Sequence, residues 1–124
     1  MTAESLAAEH REIEERLDRL AAAADSDLPD ASAALRDLWR PHFAREEAEL
    51  FPALRDTVPA MVDKMLDQHN SIRELDDWLA DLLARDQPDP RDLHRCLRHY
   101  LALLQHHLLE EERDLFPSIP PVSC

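Results

Sequence analysis

Glycine is absent from this sequence of 124 residues, and only 5% of its residues are aromatic. Sheets joined by tight hairpins commonly use glycine where the turn needs a positive φ, so its absence argues against an all-β fold. Uninterrupted apolar runs are only a few residues long, far short of the roughly 20 residues that a membrane-spanning helix needs. A chain of this length is expected to form one domain around a single core.

Basic residues are also scarce, with 14 Lys and Arg against 27 Asp and Glu and a net charge of −13. Such an acidic chain is not expected to bind nucleic acid or an anionic membrane. Two cysteines, Cys96 and Cys124, do not make a disulfide framework. The first residues show no basic segment followed by an apolar one, as a secretory signal would. We therefore expect a cytoplasmic protein.

Apolar residues recur at steps of three and four in four segments, which is the period of a helix with one buried face. Thr2 or Ser5 is positioned to cap the first helix, and Asp89 followed by Pro90 is positioned to start the fourth. Pro41 falls inside the second helix and is expected to kink it. The second helix is predicted over about residues 30–50, the third from residues 57–59, and the connections over 25–30, 52–58 and 85–89.

Short connections between long helices favour antiparallel neighbours. The predicted fold is therefore all-α, an antiparallel up-down-up-down four-helix bundle. We expect the bundle to occupy residues 1–117 and a short proline-rich tail to occupy residues 118–124.

Polar residues interrupt the apolar face of every predicted helix. One such histidine is usually a hydrogen-bonded core residue, and one such glutamate usually reaches solvent. Here each helix contributes one inward histidine, and two helices add an inward glutamate, so a shared site is the better interpretation. The six inward residues are His10, His42, Glu46, His69, His107 and Glu111.

The second and fourth helices carry the same motif. In both, a histidine is followed by glutamates at +4 and +5 and by Leu-Phe-Pro at +8 to +10, over residues 42–52 and 107–117. A spacing of four places His42 with Glu46, and His107 with Glu111, on one helix face. Two hairpins that each supply two histidines and one glutamate predict a pair of metal ions bridged by Glu46 and Glu111.

With these motifs the chain resembles the hemerythrin-like, HHE cation-binding domains, from His10 to Pro117. The resemblance implies a non-haem di-iron centre, with Mn or Zn as the alternative metals and an oxo or hydroxo group as a further bridge. It implies terminal histidine ligands and bridging Glu46 and Glu111. The oxygen-carrying hemerythrins have another histidine four residues after the third-helix ligand, where this chain has Arg73, so simple O2 carriage is not expected. The implied terminal ligands are His10, His42, His69 and His107.

Three further residues are candidates for supporting the centre. Arg73 lies one turn after His69, where it would either face an exogenous anion, pair with an acidic neighbour such as Glu14 or Asp76, or reach solvent. Glu14 lies four residues after His10 and either turns inward to bind the centre or, more simply, is a solvated edge residue. Tyr100 has a hydroxyl that could reach the site from the core.

The fourth helix has two adjacent histidines. His106 also precedes glutamates, but the Leu-Phe-Pro register and the apolar face favour His107 as the ligand. Three histidines remain, and we expect them at the surface or packed behind the ligands. These are His94, His99 and His106.

Three classes of function are compatible with such a site. The leading one is binding or sensing of O2, NO, peroxide or iron. The alternative is a small di-iron enzyme that oxidises a small organic substrate or turns over peroxide or NO. The third is a structural bundle that holds Zn or another divalent ion. The Glu-x-x-His spacing of ferritin-like sites and the HExxH motif are both absent, and the oligomeric state is left open.

Overall fold

The computed structural model describes residues 1–121, and these form an all-α four-helix bundle. Of the four long helices, the first packs on the second and the third packs on the fourth. The two helical hairpins formed in this way pack against each other. The elements are α1 (Ala3–Ala22), a 3-10 turn (Asp25–Asp27), α2 (Leu28–Arg45), a π-helical turn (Glu46–Leu50), α3 (Phe51–Leu54), α4 (Pro59–Leu83), α5 (Pro90–Glu110), a second π-helical turn (Glu111–Leu115) and a second 3-10 turn (Phe116–Ser118).

The predicted helix starts are largely confirmed. Thr2 and Ser5 act together in a capping box, each accepting a 3.0 Å hydrogen bond from the backbone N–H of the other. Asp89 caps α5 by accepting from the backbone N–H of Arg91 at 2.9 Å. The second helix begins at Leu28, two residues earlier than expected, and it continues without interruption through Pro41.

The predicted end of the second helix was wrong. The helical path continues through the π turn and α3 to Leu54, so the connection shrinks to residues 55–58. In the π turn the backbone N–H of Phe51 donates to the carbonyl of Glu46, five residues back. Pro52 then falls in the first turn of α3, where its missing N–H costs little. The same arrangement recurs where Phe116 donates to Glu111.

The core consists of two apolar clusters. On every bundle helix the inward histidine lies between residues of one cluster and residues of the other. Leu6 precedes His10 and belongs to the smaller cluster, whereas Ile13 follows His10 and belongs to the larger one. The polar layer therefore crosses the bundle between two hydrophobic layers. Trp39 and Phe43, which the apolar period did not single out, are buried members of the larger cluster.

A buried polar network lies within the larger cluster. Asp76 accepts from Arg36 Nε at 2.6 Å and from the Tyr100 hydroxyl at 3.2 Å, and that hydroxyl accepts from Trp39 Nε1 at 2.7 Å. Burial, reinforced by the charge of Asp76, raises the pKa of Tyr100, so the hydroxyl remains a donor. Tyr100 thus takes part in packing the bundle.

The described part of the tail packs onto the bundle, because Ile119 contacts the smaller cluster. Cys124 lies outside the described residues, while Cys96 is a buried free thiol. Among the helices of residues 1–121, none has both the length and the apolar character needed to cross a membrane.

The Asp76 network gives the first prediction. Asp76→Ala leaves the Tyr100 hydroxyl and the Arg36 guanidinium without their acceptor and should lower the free energy of unfolding by about 1–3 kcal/mol. Urea unfolding of the metal-free protein measures this, with the exposed neighbour Asp77→Ala as the matched control. Equal unfolding midpoints for the two variants would contradict the network's contribution.

Candidate metal centre

The structure brings together all six residues that the sequence analysis singled out. Each has a side chain that is at most 1% exposed. They form two groups whose ligand atoms lie within 4.8 Å of one another, and Glu46 and Glu111 belong to both groups. The first group adds His10 and His42, and the second adds His69 and His107.

The first group joins α1 to α2. The Nε2 atoms of His10 and His42 are 3.1 Å apart. His10 Nε2 is 3.0 Å from Glu111 Oε1, and His42 Nε2 is 3.5 Å from Glu46 Oε2. Two imidazole nitrogens and one oxygen from each carboxylate therefore face a common point.

The second group joins α4 to α5 in the same way. The Nε2 atoms of His69 and His107 are 3.1 Å apart. His69 Nε2 is 3.2 Å from Glu46 Oε1, and His107 Nε2 is 3.3 Å from Glu111 Oε2. Each carboxylate thus directs one oxygen to each group, which is the arrangement of a bridging ligand.

The donor atoms are arranged for binding metal ions and do not satisfy one another by hydrogen bonding. Both oxygens of Glu46, and Oε2 of Glu111, are buried without a hydrogen-bond partner. A buried carboxylate left in this state is costly unless a cation compensates it. A metal–ligand bond of about 2.1 Å places neighbouring ligand atoms about 3.0–3.4 Å apart, close to the separations within the two groups. The residues present fit two ions that share Glu46 and Glu111.

The outer nitrogen of each histidine, Nδ1, faces a polar residue that the sequence analysis did not assign. His69 Nδ1 donates to Glu47 at 2.7 Å, and His107 Nδ1 donates to Gln68 Oε1 at 2.6 Å. Such partners orient an imidazole and tune its strength as a ligand. The other two contacts are longer, at 3.6 Å for His10 Nδ1 with Glu112 and for His42 Nδ1 with Glu9.

These outer partners follow the internal repeat. Glu47 and Glu112 each come directly after a glutamate that both groups share, and Glu9 and Gln68 each come directly before a lone histidine. The second glutamate of the duplicated motif was therefore the signal that could have identified two of them.

Arg73 supports the second group through Glu47. Its Nη2 donates to Glu47 at 2.6 Å, and its Nη1 donates to Asn70 at 3.3 Å. Of the three alternatives for Arg73, the structure shows pairing with an acidic neighbour, but that neighbour is Glu47. Asp76 instead binds Arg36. Glu47 therefore accepts from two residues of α4. It holds the His69 ring, and Arg73 neutralises its charge.

The remaining candidates lie outside both groups. Glu14 is partly exposed and pairs with Arg11 at 3.3 Å. Tyr100 is engaged by Trp39 and Asp76 instead of the histidines. His106 is 57% exposed and contacts Glu110 at 2.6 Å, whereas His107 belongs to the second group. The other surface histidines, His94 and His99, are exposed.

The buried carboxylates set the protonation of the centre when no metal neutralises them. Burial lowers the pKa of His69, but the nearby negatively charged carboxylates of Glu111 and Glu46 outweigh burial and raise that pKa to about 9. Burial raises the pKa of Glu111, but His107, His10 and His69 outweigh it, so that pKa lies well below its usual range. A proton on His69 therefore takes part of the place of a metal cation.

Comparison with protein families agrees with this geometry. The model of the hemerythrin HHE cation-binding domain matches residues 1–119. No curated protein and no solved structure matched the chain.

The ligand register in α5 can be tested with adjacent histidines. His107→Ala removes a nitrogen from the second group and should lower metal occupancy, since no neighbouring side chain can reach the same position. His106→Ala is the matched control and should retain full occupancy. Elemental analysis after metal loading and desalting measures both variants. Loss of metal in the His106 variant alone would show that the register is wrong.

Proton release on metal binding is the second prediction for this site. His69 has a folded, metal-free pKa of about 9, above its ordinary value of 6.5, so it is protonated at neutral pH. A metal ion needs the neutral imidazole and displaces that proton, so affinity should rise about tenfold per pH unit from about pH 7 to pH 9. Calorimetric titration in buffers of different ionisation enthalpy counts the protons. A proton count of zero at neutral pH would contradict the assignment.

Proposed function

This chain belongs to the hemerythrin HHE cation-binding domain family, and we propose that it is a non-haem di-iron protein that binds or senses O2, NO, peroxide or iron. The observation that carries the proposal is that two buried His2Glu2 groups share both of their carboxylates. Two divalent ions bring four positive charges and the carboxylates return two negative ones. The centre therefore keeps a positive charge that favours small anionic or polarisable ligands.

The donor set supports iron as the resident metal, with Mn or Zn as the alternatives. Imidazole nitrogen suits iron and zinc, whereas sites made mainly of carboxylates suit Mg, Ca and Mn. Two ferrous ions, when bound, would supply electrons and open coordination positions to a small ligand. His10 and His42 would hold one ion and His69 and His107 the other, with Glu46 and Glu111 between them.

The protein's own side chains exclude water from this region. The Phe43 ring stacks on His69 with centroids 3.8 Å apart. Phe51 lies 5.2 Å from His69, and Phe116 lies 5.1 Å from His10. Together with the near-complete burial of the ligands, this enclosure supports a diatomic molecule or peroxide as the ligand more than an organic substrate.

Charge and thiol chemistry support the remaining parts of the proposal. The net charge of −13 disfavours nucleic acid as a partner. Cys96 is a free, buried thiol, and burial raises its pKa to about 11. A cytoplasmic protein whose ligand is a small molecule is the assignment most in keeping with both observations.

The stoichiometry and spectrum of the loaded protein test the proposal. After anaerobic loading with ferrous iron and air oxidation, we expect two iron ions per chain and near-ultraviolet absorption typical of a bridged diferric centre. Added azide should perturb that spectrum, because a small anion can occupy an open position. At most one tightly held ion per chain would defeat the di-iron proposal. Two zinc ions with no uptake of iron would support the structural alternative instead.

A further inference from the structure

The two halves of the centre have the same aromatic cover, but the cover is not equally enclosed. Phe51 and Phe116 hold equivalent places in the duplicated motif. The ring centroid of Phe51 lies 5.2 Å from that of His69. In the other half, the ring centroid of Phe116 lies 5.1 Å from that of His10. Phe51 is 1% exposed and Phe116 is 5% exposed, so Phe116 is the cover that still reaches the surface.

The residues that precede the lone histidine of each hairpin differ in size. Seven and three residues before the histidine of α4, the chain has Val62 and Leu66. Val62 is fully buried, and Leu66 packs against the smaller cluster. At the same distances before the histidine of α1, the chain has Ala3 and Ala7. Because an alanine fills much less space than a valine or a leucine, the half that contains α1 is less completely packed.

The small side chains of α1 leave a groove directly outside Phe116. It has a volume of about 370 Å³ and lies between the start of α1 and the turn at Phe116. Most of its lining is apolar, and two carboxylates complete it. The lining residues are Ala3, Glu4, Ala7, Glu112, Phe116 and Pro117.

A residue of the candidate metal centre lies behind this groove. His10 is fully buried, and its Nδ1 atom has no hydrogen-bond partner. That atom lies 3.6 Å from Glu112 Oε1, and Glu112 lines the groove. Phe116 lines it as well and contacts the His10 ring. Two side chains of the groove wall therefore separate solvent from His10.

We propose that this groove is the entrance by which a small uncharged molecule, of the size of O2, NO or hydrogen peroxide, reaches the metal centre past Phe116. The inference deepens the proposed function and rests on it. An uncharged molecule is favoured over an anion, because Glu4 and Glu112 lie in the wall and the chain carries a net charge of −13.

The entrance can be closed with the residues that the other half already uses. The double variant Ala3→Val with Ala7→Leu copies Val62 and Leu66 into the groove. Oxidation of the ferrous-loaded protein by hydrogen peroxide, followed by stopped-flow absorption, should slow by about tenfold, because a close-packed cover must open before a molecule can pass. Ala7→Leu alone should give an intermediate rate.

Ala8→Leu is the matched control. Ala8 adjoins Ala7 on α1 but is exposed and lies outside the groove, so this variant should keep the wild-type rate. Iron content and the urea unfolding midpoint are measured for every variant. Two iron ions per chain and an unchanged midpoint, together with a slower reaction, would show that the entrance is closed and the centre is intact.

Dissolved O2 locates the entrance without iron. Because O2 is paramagnetic and apolar, it collects in apolar grooves and speeds the relaxation of the protons near it. In the metal-free wild type under oxygen pressure, with nitrogen as the reference, the methyl protons of Ala3 and Ala7 should show more added relaxation than those of Ala8. The methyl protons of Val62 should show less than those of Ala7.

Two results would overturn the inference and leave a two-ion centre standing. One is the absence of excess relaxation at Ala3 and Ala7, and the other is an equal oxidation rate in the double variant and the wild type. A wild type that holds fewer than two iron ions per chain would instead defeat the proposed function. The relaxation measurement on the metal-free protein would still decide whether the groove admits O2.

Discussion

The bundle is built around two buried carboxylates, and three of their four oxygens have no hydrogen-bond partner. Glu46 and Glu111 lie at the centre of the molecule, each fully buried, in a region where a bare negative charge costs several kcal/mol. Only a cation shared between them compensates that cost, whether it is a metal ion or a proton on His69. The four imidazoles, their outer partners and the hydrophobic layers on either side all depend on this requirement.

The two buried carboxylates lie at the start of the two π-helical turns. Each begins at a glutamate that belongs to both ligand groups, Glu46 or Glu111, and ends just before the Phe-Pro pair of the duplicated motif. The proline cannot donate to the carbonyl one α-helical turn earlier, and the wider turn absorbs the mismatch. Phe51 and Phe116 then pack against His69 and His10. One short motif therefore supplies the shared carboxylate, the π-helical turn and an aromatic residue that covers a histidine.

Charge alternates outward from the centre. The carboxylates Glu46 and Glu111 are surrounded by imidazoles, and the imidazoles are in turn faced by Glu9, Glu47 and Glu112. Arginines then pair with these outer carboxylates, which are only partly buried. Because each layer neutralises the one inside it, a chain with a strongly negative net charge can hold buried cations without an equally buried excess of anions. The pairing arginines are Arg11, Arg45 and Arg73.

The sequence alone determined the all-α bundle and the six central residues. The helical period fixes which residues face inward, and a spacing of four fixes which pairs share a face. It did not determine the outer partners of the histidines, because Glu47 accepts a hydrogen bond from a histidine of α4 and Glu112 lies 3.6 Å from one of α1. Nor did it determine the π turns, since a proline after an apolar run indicates a helix end by local rules alone. Contacts between helices depend on how the helices are rotated and staggered against one another, and only tertiary packing sets those two quantities.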